Sequence, residues 1–283
     1  MRHLLKAGLR RLAAVPAASP RYQAGTRRAT VIAVAARKGG VGKTTTSVSL
    51  AAALARFHGQ KVLLIDLDPQ GHVNTALRAQ VGPSEKPISS VLLDERGAEI
   101  LDCVVPTAIP NLDVTGLDLG LAATEDLMGT RIGKEVLLRD ALKITRTHYD
   151  TIVIDCPPNL GNLSVNGLVA ADQVLIPCDP SPLSLKGVTS LIDTITTISN
   201  RLNPDIDLLG ILLTRVDGRN VTVNEAIVKE IEETYGTALL PMRIGVSTDL
   251  SKAQMEGRDV FAYDQGCRGA MAYRELAEWV AEA

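Results

Sequence analysis

The sequence predicts an α/β fold in which a mainly parallel, doubly wound sheet is flanked by helices on both faces. Beyond Thr30, short apolar runs rich in β-branched residues alternate with longer helical stretches, as in chains that build parallel sheets through helical crossovers. The apolar runs are nearly continuous rather than alternating, which is typical of strands covered on both sides. Ligands of such folds bind at the carboxyl ends of the strands, so we expect the chemistry there.

The elements follow one another in a regular order. The candidate strands are 31–36, 61–66, 112–116, 151–156, 173–178, 208–214 and 237–241. The candidate helices are 44–58, 131–147, 184–201, 221–235 and 270–281. Because no repeat and no linker interrupts residues 31–283, we expect them to form a single domain.

Composition excludes several classes of protein. The chain has 283 residues, of which 46% are hydrophobic, enough to fill a core and too many for a disordered protein. No apolar run approaches the roughly 18 residues that cross a bilayer. The four cysteines form no C-x-x-C pair, which argues against a disulfide framework or a metal knuckle and favours reduced, buried thiols.

The amino-terminal residues 1–30 differ in charge from the rest. They contain seven Lys or Arg and no acid, leaving 23 basic against 32 acidic residues beyond, a net charge of −9. Pro16 and Pro20 interrupt this segment, so we interpret it as an arm separate from the fold. Three interpretations remain open: a dispensable disordered lead-in, a basic arm that touches nucleic acid or a partner, and an arginine-rich transit peptide.

A glycine-rich loop, "RKGGVGKTTT", joins the first strand to the first helix. It fits the phosphate-binding pattern G-x-x-x-x-G-K-[ST], except that Arg37 stands where the first glycine belongs. The glycines let backbone N–H groups point at phosphate oxygens, Lys43 supplies a cation, and Thr44 offers a hydroxyl to Mg²⁺. The predicted nucleotide-binding residues of the loop are Lys38, Gly39, Gly40, Val41, Gly42, Lys43, Thr44 and Thr45.

Acids follow two of the predicted strands. Asp66 and Asp68 lie two residues apart after the second strand, so they point the same way if the strand continues. Asp155 ends the fourth strand, where an acid after a phosphate loop is placed to hold Mg²⁺ through its water shell. Gly161, after a rigid Pro-Pro pair, is a candidate pivot that senses the γ-phosphate.

Together these motifs resemble the deviant-loop ATPases, and specifically the ParA/Soj-type partition ATPases. The residues that carry the resemblance are "KGGVGKTTT", "DLDPQGHVNTAL", "YDTIVIDCPPNLGNLSVNGL", "GILLTRVDGRN" and "YDQGCRGAMAYRELAEWV", in this order over about residues 30–281. The resemblance implies a P-loop ATPase that uses ATP and Mg²⁺ and is located in the cytoplasm on the nucleoid.

The resemblance also implies roles for single residues. Lys38 matches the signature lysine that reaches the partner's phosphates across an ATP-bridged dimer, and Lys43 matches the loop lysine. Asp68 matches the acid that positions the attacking water. The implied metal-site residues are Thr44, Asp155 as the switch acid and Asp66 as a supporting carboxylate. Pro241 and Arg243 fall in the loop that lines the adenine, and Arg219 and Arg201 fall where relatives carry DNA-contacting residues.

The implied function is ATP-timed partition: a homodimer binds DNA non-specifically, and a ParB-like or other adaptor protein stimulates hydrolysis. Positioning of another cargo, such as a carboxysome or a protein array, is an alternative with the same chemistry. A membrane-cycling ATPase of the MinD type is disfavoured, because "AMAYRELAEWVAEA" has one arginine against three glutamates. The chain departs from the family in "PCDPSPLSLKG", which lacks the tyrosines of the nearest relatives, and in Pro241-Met242-Arg243.

Overall fold

The computed structural model describes residues 22–82, 86–94, 97–217 and 221–282, and in 221–224 it describes the backbone alone. The strands in these ranges are β1 (Thr30–Val34), β2 (Val62–Asp66), β3 (Val104–Pro106), β4 (Leu112–Thr115), β5 (Thr151–Asp155), β6 (Gln173–Cys178), β7 (Asp207–Val216) and β8 (Leu239–Gly245). They form one sheet in the order β3-β4-β2-β5-β1-β6-β7-β8, in which only the edge pair β3–β4 is antiparallel.

Helices cover both faces of this sheet. The α-helices of the described ranges are α1 (Lys43–Phe57), α2 (His72–Ala76), α3 (Ile88–Leu92), α4 (Leu121–Met128), α5 (Leu137–Ala141), α6 (Asn162–Ala170), α7 (Pro182–Arg201), α8 (Val221–Tyr235), α9 (Thr248–Glu256), α10 (Val260–Tyr263) and α11 (Arg268–Glu282). In this part of the chain no helix is both long enough and apolar enough to span a membrane.

The central strands are buried on both sides, which confirms the predicted fold class. In β1, Val31 and Ala33 join one hydrophobic core, while Ile32 and Val34 join the other. Successive strand residues point to opposite faces, so a strand covered on both sides needs an apolar residue at every position. The unbroken "VIAV" of β1 is therefore a consequence of its place between β5 and β6.

The sequence pattern missed one strand and overstated one helix. β3 has three residues and ends at Pro106, which is compatible with an edge strand but too short to leave a periodic signal. The predicted helix 131–147 is broken into α5 and two 3₁₀ turns, Lys134–Val136 and Thr145–Thr147. The side chain of Asn166 accepts a hydrogen bond from the N–H of Leu138 and donates one to the carbonyl of Lys134. Such tertiary hydrogen bonds to the backbone override helix propensity, so the helix is interrupted here.

Part of the predicted amino-terminal arm is bound to the folded body. The N–H groups of Arg27 and Ala29 donate to the carbonyls of Thr147 and Arg146, at 2.9 and 2.8 Å. The guanidinium of Arg27 also forms an ion pair with Asp150. Charge and the two prolines assigned residues 22–29 to the arm. Backbone hydrogen bonds, which neither charge nor proline content reveals, join these residues to the loop before β5.

The four cysteines, Cys103, Cys156, Cys178 and Cys267, are buried and unpaired, as predicted. Burial raises the pKa of the Cys156 thiol, with the nearby Asp155 acting in the same direction. A thiol held protonated is a poor nucleophile and a poor metal ligand. The cysteines are core residues of this fold.

Candidate nucleotide site

The glycine-rich loop lies between the carboxyl end of β1 and the amino end of α1, in the middle of the sheet. Gly40 and Gly42 have φ angles of +75° and +87°. An L residue adopts this left-handed backbone only with strain, so these two glycines are required by the turn itself. The loop borders a cavity of about 400 Å³ at the edge of the sheet where ligands of such folds bind.

The lining of this cavity brings most of the predicted loop together with one of the strand-end acids. Its residues are Gly39, Gly40, Gly42, Lys43, Thr44, Thr45, Asp68, His72, Thr75, Ala76, Pro158, Arg215, Ser251 and Gln254. Val41 is absent because its side chain is 1% exposed and points into the protein. The carbonyl of Val41 accepts a 2.7 Å hydrogen bond from Thr214, so this residue anchors the loop.

Lys43 is held inside the loop. Its side chain is buried, and its Nζ donates to the carbonyl of Lys38 at 3.4 Å. Burial lowers the pKa of Lys43, while the negative charges of Asp155 and Asp68 act in the opposite direction. A buried ammonium with one long hydrogen bond has unused donors, which is the arrangement expected of a lysine that receives phosphate oxygens.

Asp155 is bound by two hydroxyls of α1. Thr44 donates to its Oδ2 at 2.7 Å, and Ser47 donates to its Oδ1 at 2.8 Å. Burial raises the pKa of Asp155 to about 6, although both hydroxyls and the charge of Lys43 oppose that rise. Ser47 was not predicted as a site residue. Its position three residues after Thr44, on the same side of a helix, was the available signal.

Asp66 supports the turn that carries Asp68. Asp66 and Asp155 are register partners on adjacent strands β2 and β5. The Oδ1 of Asp66 accepts from the N–H of Asp68 at 3.0 Å, and its Oδ2 accepts from the N–H of Val73 at 3.1 Å. Burial raises the pKa of Asp66 well above its ordinary value, and nearby Asp155 adds to this effect. Asp66 therefore binds the backbone of the turn after β2 and of the start of α2.

Asp68 faces the cavity of about 400 Å³ beside the glycine-rich loop, which is called the phosphate cavity below. It is 6% exposed, and its Oδ1 accepts from the N–H of Gln70 at 3.0 Å. Its Oδ2 lies 3.8 Å from Nδ1 of the exposed His72. One oxygen is thus committed to the turn, while the other faces the side of the cavity where His72 lies. This geometry allows Asp68 to accept a hydrogen bond from a water or an ammonium in the cavity.

These groups fit a nucleotide-bound Mg²⁺ better than a protein-enclosed metal. Mg²⁺ in phosphate sites takes few protein oxygens and keeps waters and phosphate oxygens in the remaining positions. The Thr44 hydroxyl, with Asp155 behind it, supplies this kind of partial set. Across the described ranges, no three His, Cys, Asp or Glu side chains converge to hold a metal by themselves.

A second cavity of about 140 Å³ adjoins the first. It lies between the carboxyl ends of β7 and β8 and helix α9. Its residues are Gly42, Thr45, Thr214, Arg215, Ile244, Gly245, Val246, Ser247, Leu250, Ser251, Gln254 and Tyr273. The mixture of apolar side chains and backbone suits a flat aromatic group such as a nucleobase.

The structure does not bring Pro241 and Arg243 to either cavity. Both lie within β8 with exposed side chains, and Arg243 is 3.5 Å from Glu232 of α8. β8 runs parallel to β7, so only its last residues reach the ligand edge of the sheet. The residues at the cavity are 244–247, three to six positions further along the chain than Pro241.

Arg215 is a site residue that the sequence did not reveal. It lines both cavities, and its Nη1 donates to the carbonyl of Gly40 at 3.0 Å. Its φ angle is +54°, an unusual backbone conformation for an arginine. Such outliers are found where surrounding structure and function require them.

Lys38 does not line the phosphate cavity, although it lies in the same loop. Its Nζ lies 2.6 Å from Oδ2 of Asp179 and 3.1 Å from Oγ of Ser181. It lines a separate surface groove of about 500 Å³ together with Arg37 and with residues of α7, among them Lys186. Gly39 borders both the groove and the phosphate cavity, so the two are neighbours.

The predicted DNA-contacting arginines are remote from this site or outside the described residues. Arg201 ends α7, with an exposed side chain. α7 starts at the carboxyl end of β6 and runs back toward the edge of the sheet where the strands begin. Its last residue, Arg201, therefore lies at the opposite edge of the sheet from the phosphate loop. Arg219 falls in 218–220, outside the described ranges.

Comparison with known proteins finds a matching family model and relatives that are similar over most of the chain. A family model described as "AAA domain" matches residues 29–208. The chain is 37% identical to the sporulation initiation inhibitor protein Soj of Bacillus subtilis, over 89% of this chain and 98% of that protein. It is 38% identical to the chromosome partitioning protein ParA of Caulobacter vibrioides, over 88% and 93% of the two chains.

One solved structure is similar in both sequence and fold. It is described as cobyrinic acid a,c-diamide synthase from Mycobacterium smegmatis with bound ATP analog and magnesium. The TM-score is 0.76 at 33% identity, and the match covers 90% of this chain and 95% of that chain.

Proposed function

The chain belongs to the ParA/Soj-type P-loop ATPases, and we propose that it is a DNA partition ATPase whose ATP-bound form is a sandwich dimer. It is an ATPase that uses ATP with Mg²⁺. In the proposed cycle the dimer binds DNA without sequence specificity, in the cytoplasm on the nucleoid. A ParB-like or other adaptor protein then stimulates hydrolysis, and the DNA is released as the chromosome or plasmid is segregated.

The cavity residues divide the chemistry among themselves. The N–H groups of Gly39, Gly40 and Gly42 and the ammonium of Lys43 hold the phosphates, and the Thr44 hydroxyl holds the metal. Bound Mg²⁺ offsets the negative charge that builds up on the phosphates during transfer. Asp68 orients the attacking water in this proposal, which is supported by its position in the lining of the cavity. The second cavity receives the adenine between β8 and α9.

The position of Lys38 is the observation that best supports the proposal of an ATP-bound dimer. A cation beside a phosphate loop ordinarily serves its own nucleotide, yet Lys38 lies in the neighbouring groove. From there it is available to the nucleotide of a facing subunit, in the way that an arginine finger acts in trans. Lys43 acts in cis and Lys38 in trans, so nucleotide binding and dimer formation depend on different lysines.

The test compares DNA binding by the ATP and ADP states. Asp68→Ala should bind ATP without turning it over and accumulate as a dimer, visible by sedimentation. Gel shifts of this variant with ATP or ADP, repeated over a salt series, should show binding only with ATP and a steep loss with salt, because counterions are released from phosphates. Lys43→Ala, which should not bind nucleotide, is the control. Equal DNA binding in both states would contradict the proposal.

Another cargo would leave this chemistry unchanged. The identity of the adaptor that stimulates hydrolysis would show whether the cargo is a DNA origin, a carboxysome or a protein array. Affinity capture of that adaptor with the Asp68→Ala, ATP-bound protein separates the two outcomes.

A membrane-cycling role finds no support in α11. Tyr273, Leu276 and Ala277 are buried, and the apolar side of this helix packs on α1. Arg274 stacks over the Phe57 ring at 4.8 Å and pairs with Glu278 at 3.2 Å. An amphipathic helix that binds lipid must present its apolar side to the bilayer, and here that side is already used by the core.

A further inference from the structure

The ammonium of Lys38 is occupied by an acid of its own subunit. Its Nζ lies 2.6 Å from Asp179, and the Ser181 hydroxyl lies 3.1 Å away. Both partners belong to the turn between β6 and α7. The side chains of Lys38 and Asp179 are 29% and 20% exposed, so solvent screens the pair only in part.

Asp179 is placed by the fold independently of Lys38. The hydroxyls of Ser181 and Ser184 both donate to its Oδ1, which leaves Oδ2 for the lysine. Ser181 also caps α7, because its hydroxyl accepts from the N–H of Ser184 at 3.3 Å. Burial opposes ionisation of Asp179, but the hydrogen bonds from Lys38, Ser184 and Ser181 hold the pKa of its carboxyl below the ordinary value.

The charges around this pair favour an anion once the acid is gone. Arg37 and Lys186 line the same groove as Lys38. Within the described part of the chain, neither of them forms an ion pair, and Arg37 donates instead to the Ser190 hydroxyl. Asp179 is therefore the acid that balances Lys38 here. Without it the groove presents three cations to whatever faces it, which attracts the phosphates of a nucleotide.

We propose that Asp179 is a positioning residue that retains Lys38 within the single subunit and releases it when two ATP-bound subunits close. This inference rests on the proposed function, in which Lys38 contacts the partner's phosphates. A lysine bound to Asp179 must exchange that carboxylate for a phosphate oxygen. The Lys38–Asp179 ion pair must therefore break when the dimer forms. Breaking it raises the protein concentration at which the dimer forms above the value that the nucleotide site alone would set.

The test is Asp179→Asn, which keeps the shape and removes the charge. In an Asp68→Ala background with ATP and Mg²⁺, we expect the dimer dissociation constant from sedimentation equilibrium to fall about three- to fivefold, the effect of removing one partly exposed ion pair. Asp193→Asn makes the same charge change at an exposed position of α7 and should leave the constant unchanged. Asp179→Glu, which restores the carboxylate, should return it toward the starting value.

A second measurement separates retention of Lys38 from a general structural role. With Asp68 intact, turnover should reach half its maximum at a three- to fivefold lower protein concentration in Asp179→Asn, with an unchanged plateau. A merely structural residue would lower the plateau instead. If Asp179→Asn does not fold, the Ser181→Ala/Ser184→Ala double variant loosens the same carboxylate and should shift the threshold in the same direction.

The outcomes keep the two proposals apart. If the Asp68→Ala protein does not dimerise with ATP, the proposed function is wrong. If it dimerises and Asp179→Asn leaves the constant unchanged or weakens the dimer, only the role of Asp179 is overturned.

Discussion

Thr44 and Asp155 are joined by a 2.7 Å hydrogen bond that links the start of α1 to the end of β5. The bond orients the Thr44 hydroxyl toward a fully buried carboxylate, whose other oxygen is taken by Ser47. The Thr44 hydroxyl, the proposed metal ligand of the phosphate loop, is thus oriented by groups of the protein itself. Preorganisation of this kind removes an ordering cost from binding.

Ser47→Ala should weaken this arrangement. It removes one of two hydroxyl donors from the buried Asp155, and a charged acceptor left underbonded costs about 1–3 kcal/mol. We expect a loss of about 1–2 kcal/mol in the free energy of unfolding at pH 8, measured with urea, and a reduced affinity for Mg²⁺-ATP. Ser49→Ala, a buried serine of the same helix without this contact, is the matched control. Equal losses in both variants would argue against a special role for Ser47.

Asp155→Asn should give a pH-dependent gain in stability in the metal-free and nucleotide-free protein. The pKa of Asp155 is about 6 in the fold against 3.8 for the free group, so between these values the folded state binds more protons than the unfolded state. The contribution of Asp155 to stability therefore falls as pH rises from about 4 to 6, and reaches a cost on the order of 2–3 kcal/mol above that.

The amide carries no charge, so the variant should escape this cost. Its advantage in urea unfolding should be absent near pH 4, grow up to about pH 6 and stay constant above, while Mg²⁺-ATP turnover is lost. A difference between the two proteins that does not change with pH would contradict the assignment of the raised pKa to Asp155.

Substitutions of Arg215 separate its side chain from its backbone. Arg215→Ala removes the guanidinium that bonds the Gly40 carbonyl and borders both cavities, so we expect ATP affinity to fall about five- to tenfold, the effect of about 1 kcal/mol or slightly more. Arg215→Gly should lose the same affinity but gain stability relative to the alanine variant, because its φ of +54° suits glycine.

Calorimetric titration with a non-hydrolysable ATP analogue and a thermal melt report the two effects. Arg258→Ala, which removes an exposed arginine 3.9 Å from Glu256, should leave ATP affinity unchanged. Full affinity in Arg215→Ala would exclude a nucleotide contact.

Two truncations test where the folded body begins. Removal of residues 1–21 should leave the melting temperature unchanged. Removal of residues 1–29 should lower it by several degrees, because the N–H donors of Arg27 and Ala29 and the buried Ala29 side chain are lost. Equal melting temperatures for the two truncated proteins would show that residues 22–29 add nothing to stability.

The shorter truncation also tests the basic arm. If it weakens DNA binding in the salt series, the arm contacts nucleic acid; if binding is unchanged, the arm is dispensable for it.

The order of elements and the phosphate loop were predictable because they depend on local sequence. All seven predicted strands are present, and the loop residues from Gly39 to Thr45 adopt the expected strand–turn–helix setting. β3 and the breaks around α5 were not predictable, since a three-residue edge strand and the hydrogen bonds of Asn166 depend on distant parts of the chain. Arg215 was missed for the same reason, whereas Ser47 was missed although its spacing from Thr44 in the helix is a local signal.

The amino-acid sequence alone determined that this chain folds around a phosphate loop and carries acids at two strand ends. Glycine, lysine and threonine at fixed spacing suffice for that, because backbone conformation and helix direction follow from neighbouring residues. Only the tertiary structure decided which oxygens those acids offer, where the second cavity lies and what holds Lys38. These depend on register and packing, which bring Asp66 beside Asp155 and Asp179 against Lys38 across 141 positions of the chain.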